Sequence, residues 1–85
     1  MSTGINFAVQ LEIDTSGLKC PLPILKAKKA LAQINSGEVL KVITTDPHAK
    51  EDFQAFAAQA KHELLAQQEC RVGAKEGIAH YLKKR

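Results

Sequence analysis

The sequence predicts an α/β protein of the α+β two-layer sandwich type. Two helices are expected on one face of a mixed four-stranded sheet, in the order β-α-β-α-β-β. Three observations predict this architecture: an alternating apolar segment near the start, two segments with apolar residues at helical spacing, and two further alternating segments beside a glycine-bounded loop. The 85 residues are enough for a single domain over residues 1–85, with an ordered core from about 8 to 83.

The first half of the chain predicts one strand and one helix. Residues 1–6 are expected to form a loose terminus, and alternation from Ala8 predicts a half-buried strand. Residues 15–17 are typical of a turn. A helix is expected from Pro21 to about Asn35, because apolar residues recur there every three or four positions. Gly37 then fits the left-handed conformation that ends helices.

The second half repeats this design and adds a hairpin. The β-branched segment Val39 to Thr45 predicts a more central strand. Asp46-Pro47 has the pattern of a capping residue followed by proline at the first helical position, and this helix is expected to end near residues 62–64. Two last strands are expected at residues 65–72 and 77–83, joined by a hairpin loop at 73–77.

This topology predicts that the starts of the two helices lie together. A crossover connection keeps the first two strands parallel, so both helices begin at the same edge of the sheet. Cys20 and the Asp46-Pro47-His48 segment should therefore share a rim, and such rims are where α/β sheets form binding sites.

The segment Cys20-Pro21-Leu22-Pro23 is the most informative of the chain. Cys20 is expected at the N-cap of the first helix, with Pro21 and Pro23 in the first turn, where a missing N–H costs little. The two prolines then aim the thiol. We expect the positive end of the helix dipole to lower the pKa of Cys20 and favour the reactive thiolate.

The charge and the cysteine content of the chain limit which partners and which compartment are expected. Twelve Lys and Arg against nine Asp and Glu give a net charge of +3, with four lysines and no acid between Lys19 and Lys29. Lys19 and Lys26 are candidate docking charges for an acidic partner. Two cysteines far apart predict no disulfide framework, and neither a leader nor an apolar span is evident. A reducing cytoplasm is therefore expected.

The remaining candidates have plainer interpretations. Cys70 alternates in phase with Leu64, Ala66 and Val72, which predicts a structural, core-facing thiol. Asp46 is interpreted first as a helix cap and second as a rim residue for docking or proton handling, and His48 as a residue that could assist the thiol. His62 and His80 lack ligand spacing to either cysteine, so neither a metal nor another cofactor is expected.

Three features together resemble the TusA/SirA/YedF family of small sulfur carriers: the segment Gly17-Leu18-Lys19-Cys20-Pro21-Leu22-Pro23, the Asp46-Pro47 helix start, and the order of elements. The resemblance implies that Cys20 accepts sulfane sulfur as a persulfide. It also implies a cysteine desulfurase or other protein as sulfur donor, and a downstream acceptor protein. For TusA itself the route leads to tRNA thiolation, whereas other members serve other sulfur pathways. A monomer without membrane association is expected.

Two alternatives remain open from the sequence. The first is a small nucleic-acid-binding or regulatory module without thiol chemistry. It is disfavoured by the modest charge and by few aromatic residues, which are Phe7, Phe53, Phe56 and Tyr81. A salt-dependent affinity for nucleic acid that survives Cys20→Ser would support it. The second is a peroxide-sensing thiol, which predicts sulfenic acid at Cys20 without any sulfur donor.

Overall fold

The computed structural model describes residues 8–85, and their elements follow the predicted order. These are β1 (Val9–Asp14), α1 (Leu22–Leu31), β2 (Val39–Thr44), α2 (Ala49–Ala60), β3 (Glu63–Val72) and β4 (Lys75–Lys83). The expectation for residues 1–6 lies outside the described residues. None of the helices in the described part of the chain is long and apolar enough to cross a membrane.

The four strands form one mixed sheet in the order β1-β2-β4-β3. β1 and β2 are parallel, whereas β4 is antiparallel to both β2 and β3. The predicted central position of β2 is confirmed. Because β2 has a partner on each side and helices over one face, its apolar residues are almost all buried.

The main core lies between the two helices and the sheet, which confirms the predicted two-layer arrangement. Fully buried members come from all layers, including Ala27 of α1, Leu40 and Val42 of β2, Phe53 of α2 and Leu82 of β4. Close-packed contact between these layers fixes how the two helix starts sit over the sheet edge.

Both helices are shorter than their apolar patterns predict. α1 ends at Leu31, and the following turn still buries Ile34, so the apolar spacing outlasts the helix itself. α2 ends at Ala60, because Lys61 takes the left-handed conformation with φ of 63° and its N–H bonds the carbonyl oxygen of Ala57. A lysine gives no sequence signal for this stop, since glycine is the usual residue there.

The hairpin is tighter than predicted. Val72 pairs with Lys75, so only Gly73 and Ala74 form the turn and β4 begins two residues earlier than expected. Gly77 lies inside β4 and not in the loop. A Cβ atom at Gly77 would lie 2.7 Å from the carbonyl oxygen of Thr44, so close packing against β2 explains this glycine.

A second, smaller apolar cluster lies on the sheet face away from the helices. Val39, Ala79 and Tyr81 are buried there, and Cys70 packs against them. The prediction that Cys70 shares a face with Leu64 is therefore wrong. A register irregularity between Leu64 and Ala66 reverses the alternation, which puts Leu64 against the main core instead.

Two buried polar side chains, Thr44 and His80, lie beside the main core, and together with the half-buried Gln67 we call them the buried polar centre. His80 is fully buried and stacks on the Phe53 ring at 4.3 Å between centroids. Its Nε2 lies 2.8 Å from Thr44 Oγ1, and its Nδ1 lies 3.1 Å from Gln67 Nε2. An amide NH₂ only donates, so Nδ1 is the acceptor and Nε2 carries the proton of a neutral imidazole.

The end of the chain is fastened to the sheet edge where β2 begins. Lys84 accepts the N–H of Gly37 through its carbonyl oxygen at 2.7 Å and donates its own N–H to Glu38. Its ammonium group also donates to the carbonyl oxygen of Ile34 at 2.7 Å. These bonds close the edge opposite the starts of the two helices.

Candidate active site around Cys20

Cys20 lies in the loop between β1 and α1, with an exposed and free thiol. α1 begins at Leu22 with Pro21 as its N-cap, so the prediction of Cys20 as the cap is wrong by one position. The local reason is a turn in which Leu22 N–H donates to the carbonyl oxygen of Lys19 at 2.9 Å. The Cys20–Pro21 peptide bond is cis, and Pro23 occupies the second helical position.

Asp46 joins this loop to the start of α2. Its Oδ2 accepts the N–H of Cys20 at 2.7 Å, and its Oδ1 accepts the N–H of His48 at 3.0 Å. The side chain is only 7 % exposed. The hydrogen bonds from His48 and then from Cys20 hold the pKa of Asp46 below its usual value. The predicted common rim for Cys20 and Asp46 is therefore present.

Asp46 is not the helix cap that the sequence predicts. α2 begins at Ala49, and His48 occupies the cap position, whereas Pro47 precedes the helix. The carboxylate of Asp46 already accepts two backbone N–H groups outside the helix, and its carbonyl oxygen closes a turn with Ala49 N–H at 3.0 Å. This geometry places Asp46 at the rim, and its role there in docking or proton handling stays a prediction.

Further bonds tie the loop before Cys20 to the end of β2. Thr15 is buried, and both its N–H and its hydroxyl donate to the carbonyl oxygen of Ile43, at 2.8 and 2.7 Å. Gly17 donates its N–H to Thr45 Oγ1 at 2.8 Å and has φ of 83°, a conformation that favours glycine. The backbone that carries Cys20 is thus held from both sides.

The electrostatic prediction for Cys20 is wrong in sign. The pKa of Cys20 is raised above its usual value, first because the Asp52 carboxyl group favours the protonated thiol as a hydrogen-bond donor. Burial follows, and then the negative charges of Asp52 and Asp46. The carboxyl groups of Asp52 and Asp46 therefore shift the pKa of Cys20 in the direction opposite to the one that the helix start predicts.

Cys20 opens into a shallow groove of about 450 Å³. Its lining comes from three segments that meet at the rim: Gly17, Leu18, Lys19, Cys20, Thr45, Asp46, Pro47, His48 and Lys75. A neighbouring groove of about 480 Å³ shares Thr45, Asp46 and Pro47 but contains Cys70 in place of Cys20. The slightly larger groove therefore lacks the exposed thiol, and the Thr45–Pro47 segment separates the two cysteines.

The other predicted residues divide into those at the rim and those away from it. His48 lies at the rim with a side chain 78 % exposed, and its Nδ1 is 3.3 Å from Asp46 Oδ1, so it contacts the acid and not the thiol. Lys19 and Lys26 are exposed. His80 is buried in the core, and His62 lies near the end of the chain. The described residues contain no group of three or more potential metal ligands.

Sequence reasoning missed two features of this site. Leu22 and Leu25 of α1 are 46 and 49 % exposed beside Cys20, which is unusual for large apolar residues. The sequence contains a signal for this exposure, since neither leucine falls on the apolar stripe of the helix. The second is Asp52, an acid in the first turn of α2 that influences the Cys20 thiol although it lies far from Cys20 in the sequence.

The fold and the site together define a class: a small two-layer α+β domain that presents one exposed, firmly held cysteine at the start of its first helix. The sequence profile of the family described as Sulfurtransferase TusA matches residues 11–84. The chain therefore belongs to the TusA family of sulfur carrier proteins.

Individual relatives agree with this assignment. The chain is 57% identical over 58 residues to the sulfur carrier protein TusA of Allochromatium vinosum, which covers 68% of this chain and 76% of the relative. It is 37% identical over 76 residues to TusA of Pseudomonas syringae, covering 89% and 84% of the two chains. A SirA-like protein from Desulfitobacterium hafniense shares the fold with a TM-score of 0.66 at 21% identity, over 88% of this chain and 99% of that one.

Proposed function

We propose that Cys20 receives sulfane sulfur from a donor protein, carries it as a persulfide, and passes it to an acceptor protein. The observation that carries this proposal is the exposed thiol of Cys20, whose backbone N–H is fixed 2.7 Å from Asp46 Oδ2 in a chain of the TusA family. A fixed backbone with a free sulfur suits transfer between proteins, because the sulfur must meet a partner's sulfur in a defined direction.

The loading step is an exchange between sulfur atoms. The Cys20 sulfur attacks the terminal sulfur of the donor's persulfide, so a new S–S bond forms on Cys20 while the donor's S–S bond breaks. The donor cysteine leaves as a thiolate and takes up the proton that Cys20 loses. No net oxidation occurs, and the reverse exchange with an acceptor cysteine unloads the carrier.

The surface around Cys20 supports docking of a partner with acidic and apolar groups. Lys19 lines the groove of Cys20, Lys26 is exposed on α1, and Leu22 and Leu25 expose apolar surface at the start of the same helix. Apolar contacts in the centre with basic residues around them are typical of interfaces that form and dissociate. A cysteine desulfurase is the proposed donor, and tRNA thiolation is one destination for the sulfur.

The test is intact mass spectrometry after incubation with a cysteine desulfurase and free cysteine. Wild type and Cys70→Ser are expected to gain one sulfur atom that a reductant removes, whereas Cys20→Ser gains none. Cys70→Ser is the matched control, because Cys70 is the other free cysteine and lies in the neighbouring groove. Equal loading of Cys20→Ser and wild type contradicts the proposal. Loading of none, together with nucleic-acid binding that survives Cys20→Ser, supports the binding-module alternative.

A further inference from the structure

The residues that join β2 to α2 hold the loop of Cys20 in place, and we call residues 45–48 the connecting segment. Thr45 Oγ1 accepts the N–H of Gly17 at 2.8 Å. Asp46 Oδ2 accepts the N–H of Cys20 at 2.7 Å. The position of the connecting segment therefore decides where the backbone of the reactive cysteine lies.

Both ends of the connecting segment are bonded to the buried polar centre. Before it, Thr44 is the last residue of β2, and its Oγ1 lies 2.8 Å from His80 Nε2. After it, the carbonyl oxygen of Lys50, in the first turn of α2, accepts a hydrogen bond from Gln67 Nε2 at 2.8 Å. The same Gln67 nitrogen lies 3.1 Å from His80 Nδ1, and its two hydrogens serve both acceptors. His80 thus links the end of β2 to the start of α2.

The connecting segment is short and bonded within itself. The carbonyl oxygen of Asp46 accepts the N–H of Ala49 at 3.0 Å, and its Oδ1 accepts the N–H of His48 at 3.0 Å. These bonds leave the segment little freedom to absorb a shift of either end. A change in the distance between the end of β2 and the start of α2 therefore moves Asp46, and with it the acceptor of the Cys20 N–H.

The packing of the core alone does not require a histidine at position 80. His80 is fully buried and stacks on the Phe53 ring, a contact that a phenylalanine can also make. Burial of a polar ring costs free energy unless its nitrogens are hydrogen-bonded, and both nitrogens of His80 have partners. A fully paired polar network favours one arrangement of the elements that it joins. The histidine therefore adds a fixed geometry that apolar contact does not supply.

We propose that His80 is a positioning residue for sulfur transfer. Through Thr44 and Gln67 it fixes the start of α2 relative to the end of β2. Asp46 is thereby held where it accepts the N–H of Cys20. This inference rests on the proposed function, since it concerns how the same sulfur is aimed. A loop held less firmly presents the sulfur in several directions, which slows the reaction within the complex with the donor.

The test combines ¹⁵N NMR of the free carrier with the desulfurase loading assay. His80→Phe keeps a ring against Phe53 but removes both hydrogen bonds. The Cys20 amide resonance should then move towards its position in Asp46→Ala, the variant that lacks the acceptor. In the loading assay kcat should fall by roughly threefold, because the sulfur is less well aimed, while the KM for the carrier changes by less than about twofold.

Further variants separate the two bonds of His80 and control for stability. Thr44→Val and Gln67→Met each remove one bond, and each should move the Cys20 amide resonance by part of the His80→Phe effect. Thr44→Ser keeps the hydroxyl and should restore the parental resonance and most of the loading rate. Leu40→Val is the matched control, because Leu40 is also fully buried on β2 but bonds no part of the centre. It should lower stability and leave both measurements unchanged.

Three results would overturn the proposal. The first is a Cys20 amide resonance that stays in place in His80→Phe, Thr44→Val and Gln67→Met. The second is an equal movement in Leu40→Val, and the third is a moved resonance with a parental kcat. If His80→Phe does not fold, as judged by circular dichroism, Thr44→Val and Gln67→Met decide. The resonance is measured without a sulfur donor, so a parent that takes up no sulfur contradicts the proposed function alone.

The two failures are therefore distinguishable. An unmoved resonance refutes the linkage through the buried polar centre even where the parent loads sulfur normally.

Discussion

The rim around Cys20 and the buried polar centre around His80 are built from neighbouring residues. They differ in how their polar groups are hydrogen-bonded. Thr44 bonds His80 inside the core, whereas Asp46, two positions later, bonds Cys20 at the surface. Phe53 stacks on His80, whereas Asp52 beside it raises the pKa of Cys20. One short stretch of β2 and α2 therefore supplies both sites.

The difference between the two sites lies in how completely their polar atoms are paired. In the buried polar centre, both ring nitrogens of His80 have partners, and Gln67 also donates to the carbonyl oxygen of Lys50 and accepts from Gln54. At the rim the backbone is fixed, but the thiol is exposed. Full pairing suits a site that stabilises the fold, and an exposed sulfur on a fixed backbone suits a site that must react.

The largest effect is expected at the buried polar centre on acidification. Burial lowers the pKa of His80 to about 4, against roughly 6.5 in the unfolded chain. Between these values the unfolded chain binds a proton that the folded protein does not. The free energy of unfolding should therefore fall by roughly 3 kcal/mol as the pH drops from 7 to 4. Urea unfolding at each pH measures this change.

The variant His80→Gln should lose most of that dependence, because it removes the titrating ring. His62→Gln is the control, since burial also lowers the pKa of His62 but its side chain remains half-buried. The lowered pKa values of Asp14 and Asp46 add a separate loss of stability that begins near the unfolded carboxyl pKa of about 4 and grows as the pH falls further. An unchanged pH dependence in His80→Gln would contradict the assignment of the acid-induced loss of stability to His80.

A smaller effect is expected when the carboxylate of Asp46, which accepts hydrogen bonds at the rim, is removed. Asp46→Ala leaves the N–H groups of Cys20 and His48 without their acceptor, so the loop that carries the sulfur loses its fixed direction. Sulfur loading in the desulfurase assay should slow by roughly tenfold, and Asp46→Asn, which keeps one acceptor oxygen, should fall between. Glu38→Ala removes a similar acceptor, for the N–H of Asn35, at the opposite edge and should load normally. Equal loading rates for all variants would show that the hydrogen bonds accepted by Asp46 do not contribute to sulfur transfer.

The smallest effect is expected from the docking charges. Replacing Lys19 and Lys26 together by glutamine should raise the KM of the cysteine desulfurase for this carrier by roughly threefold at low salt, with little change in kcat. High salt should reduce the difference by screening the charges. The control pair is Lys83→Gln with Arg85→Gln, which removes two exposed charges at the other end of the sheet. A control pair that behaves identically would show that net charge alone is responsible.

The features that the sequence predicts well are those with local, repeated signals. Alternation in β1, helical spacing in α1 and α2, and the parallel crossover rule together place Cys20 and Asp46 at one edge. The failures arise where distant residues decide. Gly77 suggests a longer loop, but the carbonyl oxygen of Thr44 is the reason for that glycine. The register irregularity in β3, which reverses the alternation before Cys70, likewise has no local signal.

The chemistry of Cys20 shows the same limit. A helix start after the cysteine predicts a lowered pKa when that helix alone is considered. Asp52 reverses the sign, and its proximity depends on how α2 packs over the sheet. The position of the reactive residue is readable from its own segment, but its protonation depends on a second segment.

The fastening of Lys84 has a practical consequence for handling the protein. β4 pairs Lys83 with Val39, at the start of β2, whereas Cys20 is held at the end of β2. Five residue steps of about 3.3 Å separate these edges, or about 17 Å along the strand. A linker joined after Arg85 therefore leaves from the far side of the sheet. Proteins immobilised on a sensor surface through this end should present the sulfur outward, free to meet a partner in solution.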